Sequence, residues 1–418
     1  NTIVNTRAYG TTAEDVIKYT NAYVEGLKSE REVVCCVKHF PGDGTEERDQ
    51  HLILGVNELS VEEWENSFGK VYRNHIDNGV EMIMAGHIAL PEYQKALRPG
   101  LEDKDVMPAT LAEELIQDLL KEKLDFNGMV ITDASHMLGM TSAMRREDYV
   151  PGAIAAGCDM FLFFNNMEED FNFMLKGYHN GVITEERMTD ALRRILGLKA
   201  KLNLPEKQAN GTLLKDKKEL EVIGCAEHLE WQKEAADRGI TLVKDTQNML
   251  PLSVEKHKRV LLQLLGSFDS NERVLEKVKA ELEKRDFEIT VYEPETNFFD
   301  LGTVTSFSND YDAVLYVANI QNASNQTVTR VHWHTLFGLG NNLPWFTKEV
   351  PTMLLSFGNP YHLYDLPMVD TVINAYCNYD HFIEMAIKKV TGESSFKGVS
   401  PVNPFCENNL LEELKNED

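Results

Sequence analysis

The sequence is short of several things, and each shortage removes a class of protein. No apolar run approaches the roughly 18 residues that a membrane-spanning helix needs, so no membrane segment is expected. Positive charge is scarce: 42 Lys and Arg stand against 67 Asp and Glu, a net charge of −25. Such a balance repels a phosphate backbone and argues against nucleic acid as a partner. The six cysteines show no C-x-x-C spacing, and Cys35 and Cys36 adjoin in an apolar run. Neither a disulfide framework nor a zinc site is suggested, and a reducing, cytoplasmic compartment fits best. The first residues, NTIVNTRAYGTTAEDV, lack the basic and apolar regions of a signal peptide and an initiator Met, and the chain reads as processed or truncated.

Motifs with well-defined mechanics are also missing. GxxxxGK[ST], HExxH and GxSxG do not occur, which removes the best-marked P-loop, zincin and α/β-hydrolase readings. GLG at 338–340 has no third glycine and reads as a turn. His332 and His334 in VHWH lack a third metal ligand, and a structural or surface role is the commoner one for such a pair. The acidic LLEELKNED at the C-terminus reads as a solvated helix without function. No metal and no cofactor is called for.

What is there is an alternation of buried strands and helices. The apolar runs EVVCCVK (32–38), VEMIMAGHI (80–88), GMVITDA (128–134) and CDMFLFF (158–164) predict strands, separated by helical patterns at 60–79 and 110–124. Fully apolar strands between helices are the mark of a parallel sheet covered on both faces. Each strand runs into chemistry-bearing residues: Lys38 and His39, His87, Asp133, Asn165. The C-terminal ends of parallel strands are where (β/α)8 barrels and doubly wound sheets keep their sites. Four strands are half of a barrel's eight.

A chain of 418 residues exceeds one core. The boundaries expected are a first domain over 1–204, a polar, breaker-rich linker over 205–226 and a second α/β domain over 227–418. The second domain has a helix at 228–240 and strands RVLLQLL, EITVYE, AVLYVAN, TMLLSF and TVINAYC.

Two constellations could carry chemistry. Asp49 and His51, two apart in DQH, can form a dyad in which the carboxylate orients the imidazole and raises its basicity, although that spacing alone is commoner in surface turns. Asp133 in VITDASHM is either the N-cap of a following helix or a nucleophile, and spacing alone narrowly favours the cap.

The stretch KHFPGDGTEERDQH, Lys38 to His51, resembles the KHFPGHGxxxxDSH motif of glycoside hydrolase family 3 in its bacterial β-N-acetylhexosaminidase branch. FNGMVITDASHMLGM, NTIVNTRAYG and VEMIMAGHIALP are similar to further segments of that family, in the same order, and ADRGITLVKD and LLSFGNPYHLYDLP to the αβα sandwich of its longer members. The resemblance implies a (β/α)8 barrel, of which this chain holds the C-terminal half, followed by an αβα sandwich. It implies a retaining, exo-acting β-N-acetylglucosaminidase with Asp133 as nucleophile, His51 as general acid/base and Asp49 as its orienting partner. Lys38, His39 and Arg7 would bind sugar hydroxyls, and His87 is counted among the substrate-binding residues. The substrate would be a small carbohydrate, the chain a monomer or weak homodimer. Asp43 stands where many relatives have His, and His136 replaces a usually apolar residue three places after the nucleophile. Another family 3 glycosidase, a glycoside phosphorylase and a catalytically incomplete sugar-binding chain are the alternatives.

Overall fold

A computed structural model describes residues 4–29, 33–266, 268–292, 303–333 and 342–406. His334, the GLG turn and the acidic C-terminal run lie outside the described residues. Two compact units emerge from the contacts. The first comprises Asn1–Asp216 together with the short segment Ala323–Thr327, and the second comprises Lys217–Asn322 and the chain from Val328 onward.

In the first unit, strands β1 (Cys36–Phe40), β3 (Met82–Ala85), β5 (Met129–Ala134) and β6 (Met160–Leu162) form one parallel sheet in the order β1-β3-β5-β6. A two-residue parallel pair, β2 (Gly55–Val56) with β4 (Ile88–Ala89), stands beside it. Met129, Val130 and Ile131 are buried, as expected of a strand covered on both faces. β1 begins four residues later than the apolar run suggests and extends to His39 and Phe40, so both polar residues of the KH pair lie on the strand itself.

The helical pattern at 60–79 is two helices, Val61–Asn66 and Phe68–Asp77, because Ser67 adopts non-helical angles (φ −118°, ψ −93°). Ser60 and Glu63 start the first of them with a reciprocal capping box. The pattern at 110–124 is wound as a π-helix over Glu114–Lys123, which buries Leu115, Ile116, Leu119 and Leu120. No contact among the described residues explains the wider winding.

Aromatic packing fixes the chain as it leaves β1. Phe40 packs edge-on against Trp64 and Tyr72, with ring centroids 6.3 and 5.2 Å apart, and Trp64 against Tyr93 at 5.2 Å. The Trp64 indole N–H donates to the Pro41 carbonyl at 2.7 Å. Gly42 follows at φ 142°, and a side chain there would collide with the Phe68 ring.

The second unit holds a six-stranded sheet. In order along the chain its strands are β7 (Thr241–Asp245), β8 (Arg259–Leu265), β9 (Glu288–Val291), β10 (Ala313–Ile320), β11 (Thr352–Gly358) and β12 (Thr371–Asn374). Their spatial order is β7-β12-β11-β10-β8-β9, parallel except for β7 against β12. β10 alternates between two cores: Leu315 and Val317 face Val278, Leu282 and Ile387, while Val314 and Tyr316 face Phe346 and Leu354. The sheet therefore has apolar cover on both faces. β7 has no counterpart among the expected strands. Among the described residues no helix is long and apolar enough to cross a membrane.

Trp64→Phe keeps most of the aromatic volume but leaves the Pro41 carbonyl without its donor. Urea unfolding should show a loss of about 1–3 kcal/mol for that change and about 3–5 kcal/mol for Trp64→Ala. A Trp64→Phe protein as stable as the wild type contradicts the assigned role of the indole N–H.

Candidate active site

The polar residues expected at the strand ends do gather, because parallel strands all present their C-terminal ends to one side. Asp133 is the penultimate residue of β5 and 8% exposed. Its Oδ1 accepts from the Ala134 N–H at 2.7 Å. It caps no helix: the next one starts at Leu138 with Met137 at its N-cap. The capping role that spacing favoured is thus excluded, and the carboxylate is left for other work.

His39, at the end of β1, spans two carboxylates. Its Nε2 is 3.5 Å from Asp133 Oδ2 and its Nδ1 3.2 Å from Asp43 Oδ2. β3 lies between β1 and β5, so this contact passes over the end of β3, at Gly86. A Cβ at Gly86 would sit 3.0 Å from the His39 Cβ and 3.2 Å from Gln50 Oε1. The Gly86 N–H also donates to the Phe40 carbonyl at 2.8 Å, which ties the ends of β1 and β3 together.

The Asp49–His51 pair is formed. Asp49 Oδ1 lies 2.7 Å from His51 Nδ1 and accepts the His51 backbone N–H at 2.7 Å. The Asp49 side chain is fully buried, and that of His51 is 26% exposed. A buried carboxylate can only accept, so Nδ1 carries the proton and Nε2 is free to exchange one. Asp49 Oδ2 accepts from the Asn325 N–H at 2.6 Å, within the segment that groups with the first unit.

The loop is held from the β5 side as well. The N–H groups of Leu138 and Gly139 donate to the carbonyls of His51 and Gln50 at 3.0 and 3.2 Å. Gln50 bridges the two halves: its Nε2 donates to Asp43 at 3.0 Å, and its Oε1 accepts the His87 N–H at 3.0 Å. Although it carries Pro41, Gly42 and Gly44, the loop is therefore pinned at several points near His51.

His87 needs a correction. It is fully buried, with Nε2 3.0 Å from the Ala134 carbonyl and Nδ1 2.9 Å from Thr110 Oγ1. The carbonyl fixes the proton on Nε2, the Thr110 hydroxyl donates to Nδ1, and neither nitrogen is left for a sugar hydroxyl. His87 instead braces the backbone beside Asp133. Burial pushes its pKa down to about 4.

Lys38 is exposed on β1, while Arg7 is exposed in a 3-10 turn, Asn5–Arg7. Among the described residues the Arg7 guanidinium bonds to none of the other site residues. His136 is exposed, and its ring centroid is 6.2 Å from that of Phe163 just past β6. Gln50, Thr110, Gly86 and Asn325 escaped the sequence reading; only Gln50, inside DQH, carried any signal.

The site thus sets a carboxylate at the mouth of a parallel strand beside a loop that holds a His–Asp pair. Comparison with known proteins gives the class. The model described as the glycosyl hydrolase family 3 N-terminal domain matches residues 1–198. A β-N-acetylglucosaminidase/β-glucosidase of Cellulomonas fimi is 42% identical over 413 residues, covering 97% of this chain and 72% of the relative. A β-hexosaminidase of Idiomarina loihiensis is 28% identical over 164 residues, 39% of this chain and 46% of the relative. Among solved structures, the β-glucoside phosphorylase BglX superposes with a TM-score of 0.88 at 39% identity, over 97% of this chain and 72% of that one. A family 3 β-N-acetylglucosaminidase of Paenibacillus sp. shares the fold, with a TM-score of 0.73 at 22% identity, over 97% of this chain and 73% of that one. The chain belongs to glycosyl hydrolase family 3 and is a glycosidase of that family.

The buried imidazole makes stability pH-dependent. The ordinary His value is 6.5 and the folded one about 4, so the unfolded chain takes up a proton that folded His87 refuses. Its contribution is complete above pH 6.5 and is lost as pH falls toward 4. His362, buried in the second unit, is depressed to about 4 for the same reason and adds a second share. Between pH 7 and pH 5, His87→Gln should lose about 2 kcal/mol less stability than the wild type by urea unfolding. Parallel losses in the two proteins contradict the buried, neutral assignment.

Proposed function

We propose that the chain is a retaining, exo-acting β-N-acetylglucosaminidase that releases terminal GlcNAc from peptidoglycan fragments or chitooligosaccharides. Its working parts are Asp133 as nucleophile, His51 as general acid/base and Asp49 as orienting carboxylate, with Lys38, His39 and Arg7 as sugar-hydroxyl partners. The observation that carries the reading is the Asp49–His51 contact at 2.7 Å, with Nδ1 committed to the carboxylate and Nε2 left free.

In the first step a carboxylate oxygen of Asp133 attacks C1, the glycosidic C–O bond breaks, and the proton on His51 Nε2 passes to the leaving oxygen. In the second step water attacks C1, gives its proton to His51 Nε2, and Asp133 leaves as carboxylate. An imidazole suits both duties at neutral pH, since an ordinary His titrates near 6.5. His39, facing Asp133, can hold the carboxylate's orientation between steps.

The fold reading that goes with this function takes 1–204 as the C-terminal part of a (β/α)8 barrel, 205–226 as linker and 227–418 as an αβα sandwich. Four parallel strands with β1 and β6 at the edges support it, being half of the eight that close a barrel.

A second reading is favoured by the likeness to BglX, whose name states phosphorolysis. A neutral imidazole base does not repel an incoming phosphate as a carboxylate base would. Phosphate then replaces water in the second step and the product is a sugar 1-phosphate.

Release of aryl leaving group from aryl β-GlcNAc and aryl β-glucoside, with and without phosphate, separates these readings. The proposal predicts turnover of the GlcNAc substrate to free sugar. Sugar 1-phosphate in the phosphate arm selects the second reading, and turnover of the glucoside alone overturns the first. No turnover with retained sugar binding identifies an incomplete, carbohydrate-binding chain. His51→Ala should slow a natural disaccharide by about 100-fold or more and an activated aryl substrate far less in the first step. Equal losses on both remove His51 from the acid role.

A further inference from the structure

Asp49 accepts three donors, and they come from two places in the sequence. Oδ1 takes the ring Nδ1–H and backbone N–H of His51, two residues away. Oδ2 takes the backbone N–H of Asn325, 276 residues away, at 2.6 Å. The terminal torsion of an Asp side chain is broad and nearly two-fold, so bonds to one oxygen alone leave the carboxylate free to rock. A donor on the second oxygen stops that motion. It also satisfies an atom of a fully buried side chain that would otherwise remain unpaired at a cost of about 1–3 kcal/mol.

The donor is presented by a turn at Ser324 and Asn325 in which Asn325 has φ 65°. That left-handed conformation is one that Asn and Gly adopt readily and most residues resist. The Asn side chain makes no part of the bond; what the position supplies is an N–H aimed at Oδ2. The segment 323–327 groups with the first unit although the residues on either side belong to the second.

We propose that Asn325 is a positioning residue for the acid/base. Its backbone N–H holds Asp49 Oδ2, which aims Oδ1 at His51 Nδ1 and so sets the imidazole for proton transfer. The inference rests on the reading of His51 as acid/base. It adds that the dyad has a third member, reached only through the chain's second half.

The test removes the N–H; because a proline ring holds φ at about −65°, the same change also displaces the turn from its φ of 65°, and amide exchange supplies a readout that leaves the turn intact. Asn325→Pro deletes the donor, whereas Asn325→Gly retains it and tolerates the left-handed angle. On a natural disaccharide, whose leaving group needs protonation, Asn325→Pro should lose about tenfold more kcat/KM than on an activated aryl glycoside. Asn325→Gly should stay near wild type on both. Equal losses on the two substrates, or a Gly variant as impaired as the Pro variant, overturn the proposal.

His51→Ala run beside them separates the two layers. If it shows no leaving-group dependence, the acid/base reading has failed; if it does and Asn325→Pro does not, only this inference has. Should the Pro variant not fold, amide exchange decides. The Asn325 N–H should be protected in the wild type although the residue is exposed, and Asp49→Ala should abolish that protection. An Asn325 amide that exchanges freely in the wild type, or stays protected in Asp49→Ala, overturns it.

Discussion

The site depends on a gap. β1 and β5 are separated by β3, yet His39 on the first reaches Asp133 on the last at 3.5 Å. The contact runs over the end of β3, where Gly86 leaves the space that a Cβ would close to 3.0 Å from His39. From that opening the rest follows. His39 can stand between Asp133 and Asp43, Gln50 can join Asp43 to the backbone of His87, and His87 can brace Ala134 from below. A single methyl group at position 86 would push against the His39 and Gln50 positions together.

Around that opening the groups divide by solvent access. Asp49 and His87 are buried, each with its side-chain polar atoms occupied by neighbouring groups. His51 keeps one nitrogen free, and Asp133 keeps an oxygen that faces His39. A buried polar group without partners costs stability, so a rigid scaffold of satisfied groups supporting a few unsatisfied ones is what a preorganised site requires. Near the site, left-handed or otherwise positive backbone φ angles fall on Gly42, Gly44 and Asn325.

Much of this was legible in the sequence, and the limits have physical causes. Strands β5, β8, β10 and β11 are apolar runs buried on both faces, which is the strongest pattern a strand can leave. The end of β1 is misplaced by the pattern because its last residues, Lys38 to Phe40, are polar or border a proline and look like loop. β7 leaves little signal because TLVKD is short and directly follows a helix. Asp133 carries the same letters whether or not it caps a helix, and only the helix start at Leu138 removes the cap. His87 looks like a site residue because it follows an apolar strand run, whereas its two inward bonds reach residues 23 and 47 positions away in the chain. The Asn325 contact spans 276 residues, and nothing local in the sequence encodes it.

The central claim is that Asp133 attacks the sugar. Incubation with a 5-fluoro glycoside, followed by peptide mapping, tests it directly, because the trapped ester marks the carboxylate that formed it. The account predicts a label on the peptide carrying Asp133. It also predicts an Asp133→Asn protein that folds normally, takes no label and turns over several orders of magnitude more slowly. A label on another carboxylate, or an Asp133→Asn protein that keeps most of its activity, contradicts it.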